Sequence, residues 1–332
     1  MNSSQPFERD TDMAVMKSTF LTHGWRSLPG LKRLGLILVS ASTVVLQVAL
    51  VPAFAGDPFR TSGARTSISD DTEDAFYAIF RDGDYVTAAD ILQRAEADDP
   101  LHHAMLASLA YLEGNLPELL DRAELTQGAA EGLMSSDPLR GNLYGAVGIF
   151  LEGAHVLQYQ GIARGTPRAL GMLQQVFDKM DAAEAIDADD PELSLIKGFM
   201  DLLLAVNLPF ANPEDAIARL GNYGRPEYIA QRGIAVGYRD LGEYSQALEA
   251  VEAAMEAVET ATNGETTNPD LLQLKAQIFA GLGRNTDSAA LYTEALGYAN
   301  QLPPATVARL TFDRCIVQGN SGPSCAREAG YN

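Results

Sequence analysis

Basic residues are scarce in this chain of 332 residues: 24 lysines and arginines stand against 44 aspartates and glutamates, a net charge of −20. The acids are spread along the sequence, so the surface repels phosphate backbones, and nucleic acid and anionic lipid are excluded as partners. Two cysteines and one tryptophan rule out a disulfide-dense scaffold. No run alternates at period two with β-branched residues, so no strand is expected. The sequence also lacks G-x-S-x-G, a P-loop, G-x-G-x-x-G, H-E-x-x-H, H-x-x-x-H and D-x-D-x-D-G. Hydrolase, nucleotide-binding, dehydrogenase, zinc and calcium chemistry therefore have no motif to rest on. The expectation is a protein that is not an enzyme and takes no cofactor or metal. What is present, 46% hydrophobic residues with 20% charged, is a globular composition long enough for a sizeable core.

Only one apolar run reaches spanning length. Leu34 to Val51 is uncharged, follows Lys32-Arg33, and leads into Pro52-Ala53-Phe54-Ala55-Gly56. A basic flank, an apolar stretch and small residues at −3 and −1 form the pattern of a Sec signal peptide cut between Ala55 and Gly56. A retained anchor is the alternative, since the run is 18 residues long. Ser40, Ser42, Thr43 and Gln47 dilute the run, and Pro52 favours cleavage. The expected mature protein is exported to the periplasm, a thylakoid lumen or the medium, with no membrane association after cleavage. Losing residues 1–55 removes five basic and three acidic residues and takes the charge to −22, leaving Lys179, Lys197 and Lys275 as the remaining lysines.

Cys315 and Cys325 flank a Gly-Asn-Ser-Gly-Pro turn. In an exported chain they are expected to form one structural disulfide. Closing so short a loop stabilises by at most about 2.7 kcal/mol in the chain-entropy account.

From Ser69 onward apolar residues recur at three and four, broken by Gly, Pro or Asp, the period of amphipathic helices. Three breaks share a form: Gly83, Gly242 and Gly283 are each followed by a small residue at +5 (Ala88, Ala247, Ser288). A large apolar residue stands at +9 (Leu92, Val251, Tyr292) and Ala at +12 (Ala95, Ala254, Ala295). Glycine permits a tight turn, and the small residue lets the second helix approach the first. With Ala235, Tyr238, Ala276 and Phe279 in the preceding helices, these positions resemble the tetratricopeptide repeat (TPR), a helix-turn-helix unit of about 34 residues. Gly242 and Gly283 are 41 residues apart, the surplus falling in the polar stretch Thr262 to Asn268. The chain as a whole resembles exported cyanobacterial TPR proteins of unassigned role. The expected fold is an all-α, TPR-like solenoid of stacked antiparallel hairpins. It comprises a leader (1–55), a linker (56–68), N-terminal hairpins (69–130), degenerate helical repeats (131–225), a C-terminal TPR pair (226–302) and a capping helix with the disulfide-closed tail (303–332).

The resemblance implies a concave face lined by first helices, and hence a protein or peptide partner held by Tyr77, Arg81, Arg232, Arg239, Gln273 and Gln277. Arg232 and Arg239, seven apart, suit a peptide carboxylate; the alternative is a solvated or ion-paired face. The Lys/Asn clamp of chaperone-binding TPRs is missing from these positions. The runner-up is a small-ligand pocket in the 136–224 region, beside Phe150 and Tyr159, where Gly141, Gly145 and Gly148 either line a cavity or, by default, let helices pack closely. His102 and His103 are adjacent, so they point about 100° apart on a helix and share a metal poorly. They and His155 are read as structural. The acid clusters Asp98-Asp99 and Asp187, Asp189, Asp190 precede prolines and are read as helix caps.

Overall fold

The protein is described from a computed structural model covering residues 56–60, 66, 68–95, 98–207 and 212–331. The leader, and Ala55 of its expected cut, lie outside these. Among the described residues there are fourteen α-helices and no strand, so the all-α reading holds.

The helices follow one another in antiparallel neighbours. α1 (Asp70–Tyr77) continues through a π-helical turn (Ala78–Asp82) and bends into α2 (Tyr85–Arg94). α3 (Pro100–Glu113) pairs with α4 (Leu116–Leu133), and α5 (Pro138–Gln160) with α6 (Ile162–Glu184). α7 (Pro191–Asn207) pairs with α8 (Pro213–Tyr223), α9 (Glu227–Leu241) with α10 (Tyr244–Thr262), and α11 (Pro269–Gly281) with α12 (Asn285–Leu296). α13 (Pro304–Val317) and α14 (Gly322–Glu328) close the chain.

Local chemistry places the boundaries. Asp99, Asn115, Asp137, Asn212 and Asn268 each accept a hydrogen bond from the first turn of the helix they precede, and a proline opens that helix. Gly83, Gly242 and Gly283 sit at hairpin bends with φ of 71°, 82° and 75°, left-handed backbone that other residues adopt at a cost. The small, large and alanine positions behind them are buried, except that Ala95 is half-buried. α6 begins at Ile162 and carries Pro167 inside its second turn.

Odd-numbered helices touch one another as well as their hairpin partners: α1 with α3, α3 with α5, α7 with α9, and α9 with α11. α5 approaches α4 closely because Gly141 and Gly148 have no side chain. A Cβ at Gly141 would lie 2.9 Å from the Ala130 carbonyl oxygen, and one at Gly148 would lie 2.5 Å from Gln127 Cγ. These glycines serve close packing.

Two features depart from a simple open stack. The segment 56–68, expected as a polar linker, is packed where it is described: Gly56, Asp57, Pro58, Phe59 and Ile68 are buried, and the Phe59 ring meets Phe76 edge-on at 5.3 Å. Apolar Phe59 and the hydrogen-bonding side chain of Asp57 make this segment part of the core. The first hairpin also meets the last units. The Tyr85 amide donates to the Gln301 carbonyl at 2.9 Å, Asn268 Nδ2 donates to the Phe80 and Arg81 carbonyls at 3.2 and 3.1 Å, and α13 touches α3.

Candidate functional site

The six residues expected to hold a partner fall on α1 with its π-helical turn, α9 and α11. Arg232 and Arg239 of α9 face α11 in one repeated register. Arg232 Nη1 lies 3.2 Å from Asp270 Oδ2, and Arg239 donates to Gln277 Oε1, each pair 38 residues apart in sequence. Arg239 also pairs with Asp240 at 2.8 Å. Asp270, at the start of α11, accepts a further bond from the Tyr85 hydroxyl of the first hairpin. Gln273 is half-buried on the same helix.

Tyr77 and Arg81 come to this strip from the other side. The Tyr77 hydroxyl donates to Glu73, and its ring lies under the Arg81 guanidinium at 5.5 Å. Arg81 Nη2 pairs with Asp82 Oδ2 at 2.6 Å. Burial, followed by the hydrogen bond to Glu73, raises the Tyr77 phenol above its ordinary range. Tyr228, on the first turn of α9, is close enough for Arg81 and Asp82 to act on it electrostatically, and burial holds its phenol well above its usual value. Neither the Tyr228 hydroxyl nor Arg232 Nε has a hydrogen-bond partner among the described residues. Tyr228 is missing from the expected set, although it lies four residues, about one helical turn, before Arg232.

A second constellation was not anticipated. Glu192, fully buried at the start of α7, accepts from Arg140 Nε of α5 at 3.1 Å, from Arg60 Nη2 at 3.0 Å, and from the Tyr144 hydroxyl at 2.6 Å. Arg140, 1% exposed, reaches on to Asp99 at 2.9 and 3.2 Å. Arg60 forks onto Asp190 at 2.8 and 2.9 Å. Burial alone would raise the Glu192 carboxyl, but the two guanidiniums and the Tyr144 hydroxyl outweigh it and hold the group below its ordinary value. Burial prevails at Asp190, whose carboxyl is raised despite Arg60. Asp99 and Asp190 do cap helices, accepting from the Leu101 and Leu193 amides, but each accepts two further bonds from an arginine. The sequence signal was an Asp-Pro pair at the head of α3, α5 and α7. It shows the caps but not the arginines that reach them.

The remaining candidates are accounted for locally. His102 is buried with its Nδ1 unpartnered, and burial, aided by His103 and Arg122, lowers its pKa to about 4. His155 stacks on Tyr159 at 5.6 Å, and Tyr159 is 72% exposed, so it walls no enclosed cavity with buried Phe150. A cleft of about 430 Å³ lies instead between α4, α5 and α6, where Arg168 pairs with Glu152 at 2.8 Å. Among the described residues no group of three or more His, Cys, Asp or Glu is placed to hold a metal ion, and no helix is long and apolar enough to cross a membrane. Cys315 and Cys325 form a disulfide joining α13 to α14. No protein-family model matches this sequence, and no curated protein matches it either.

Proposed function

We propose that the protein, once its leader is removed between Ala55 and Gly56, is an exported, non-catalytic TPR-type α-solenoid that binds a peptide or protein partner along its odd-numbered helices. The observation that carries this reading is the common register in which α9 and α11 bring Arg232, Arg239 and Gln277 together, with Arg232 Nε left without an acceptor. A buried donor left unpaired costs about 1–3 kcal/mol. A partner carboxylate suits this strip of guanidiniums, with Arg239 and Gln277 continuing it. The Cys315–Cys325 disulfide supports delivery to an oxidising compartment, whether periplasm, thylakoid lumen or medium.

Proximity labelling around the tagged, exported protein identifies the partner. Arg232→Glu combined with Arg239→Glu is expected to lose it while the far-ultraviolet spectrum stays helical, and Arg232→Gln is expected to weaken it. Retention of the same partner at the same affinity in both variants defeats the assignment. The cleft between α4, α5 and α6 favours a second reading, a small zwitterionic ligand held by Glu152 and Arg168. That reading predicts a thermal shift from such a ligand that Arg168→Ala abolishes.

A further inference from the structure

We propose that the amino group released at Gly56 is a structural element of the mature protein: it forms a buried ion pair with Glu73 that latches the new terminus onto the helix stack. The inference rests on the cleavage reading above. Hydrolysis of the Ala55–Gly56 peptide bond consumes one water, leaves a carboxylate on Ala55, and leaves on Gly56 an amine that is mostly protonated at neutral pH, its pKa being about 8.

Gly56 is buried, and its nitrogen lies 2.9 Å from Glu73 Oε2. The other oxygen of Glu73 accepts from the Tyr77 hydroxyl. Glu73 is only 8% exposed, yet both of these donors are neutral in the uncut chain, and no lysine, arginine or histidine nitrogen pairs with it among the described residues. Asp70, Asp71 and Asp74 on the same helix deepen the negative potential, enough that Asp74, with burial first, is raised by its three acidic neighbours. A buried carboxylate in such company is stabilised far more by a full positive charge than by an amide dipole. Cleavage supplies that charge at the atom already in contact.

The nitrogen is held in place from the other side. The Gly56 carbonyl accepts from the Ile68 amide at 2.7 Å. Asp57 then gathers the following turn, accepting from the Phe59 and Arg60 amides at 3.0 Å and from the Thr66 amide at 2.8 Å. That turn carries Arg60 to Asp190 and Glu192 at the head of α7. The latch therefore ties the terminus to α1 at one end and to the buried charge cluster at the other. A cut one residue away would move the charge by about 3.8 Å, out of contact.

The test uses the full chain, expressed with its own leader in an exporting host, as wild type and as Glu73→Gln. Intact mass reads the first residue of each product. Both are then acylated at pH 6.5, where the three remaining lysines are protonated and largely spared, and mass spectrometry follows modification of the Gly56 amine. We expect a product beginning at Gly56 whose amine reacts at least tenfold more slowly in wild type than in Glu73→Gln. Wild type acylated in denaturant and refolded is expected to melt about 2–8 °C lower than the free-amine form, with no such drop in Glu73→Gln. The wild-type arm stands by itself if Glu73→Gln does not fold. A product beginning at Gly56 with equal reactivity in both backgrounds, or with no melting shift on acylation, overturns the ion pair and leaves the cleavage reading intact. A product beginning elsewhere overturns the cleavage reading itself, and the ion pair with it.

Discussion

Replacing Glu192 with leucine keeps the site filled and removes the acceptor of three donors at once. Arg140 Nε at 3.1 Å, Arg60 Nη2 at 3.0 Å and the Tyr144 hydroxyl at 2.6 Å all lose this acceptor. Breaking a buried pair by deleting one member costs about 3–5 kcal/mol, because the surviving charge has no water to return to. Both arginines retain other carboxylates, Asp99 for Arg140 and Asp190 for Arg60, so the lower end of that range, about 3 kcal/mol, is expected. At about 2–4 °C per kcal/mol for a domain of this size, the melting temperature should fall by about 6–12 °C. The assay is thermal and urea unfolding of the disulfide-intact protein, followed by circular dichroism. Glu192→Gln should fall between the two, since its amide oxygen still accepts one bond. The folded pKa of Glu192 is depressed, so its stabilising contribution is complete above the unfolded value of about 4.3 and disappears as pH drops through the folded value. The gap between wild type and Glu192→Gln should accordingly be constant from about pH 7 to pH 5 and shrink below about pH 4. A loss under about 1 kcal/mol for Glu192→Leu at neutral pH would place this cluster with exposed ion pairs and refute the reasoning.

Two further outcomes test the packing and the buried histidine. Gly141→Ala should destabilise by about 1–3 kcal/mol, because its Cβ meets the Ala130 carbonyl oxygen at 2.9 Å. Gly153→Ala, in the same helix with nothing within 4 Å of its Cβ, should gain up to about 1 kcal/mol. Chemical denaturation of the pair checks both, and equal effects would mean that α5 does not rest on α4 through its glycines. His102 has its pKa lowered to about 4, so the unfolded chain binds the extra proton first. Stability should decline by on the order of 3 kcal/mol as pH falls from about 6.5 to 4. His102→Leu should flatten that slope in urea midpoints, and an unchanged slope would locate the titration elsewhere.

Much of the fold is legible in the sequence because helix boundaries are local events. Asp99-Pro100, Asn212-Pro213 and Asn268-Pro269 each place a side-chain acceptor two or three residues from the amide it caps. Gly83, Gly242 and Gly283 mark bends through their own backbone, and the apolar spacing behind them names the buried face. Cys315 and Cys325 could be paired by elimination and proximity. The candidate strip is legible in part: the residues of α9 and α11 lie in one register, but Tyr228, one turn earlier, gives no sign of lacking a partner until its surroundings are in place.

What the sequence by itself determined, then, is the succession of helices and the residues each one buries, since capping, turn formation and apolar period act over a handful of positions. The tertiary structure alone decided which distant groups meet. Arg60 finds Glu192 across 132 residues, Arg140 finds Asp99 across 41, and Asn268 reaches back 188 residues to the Phe80 carbonyl. Such pairings carry no local signature. They depend on how the intervening helices pack, so the burial that makes these charges matter exists only once the tertiary structure has formed.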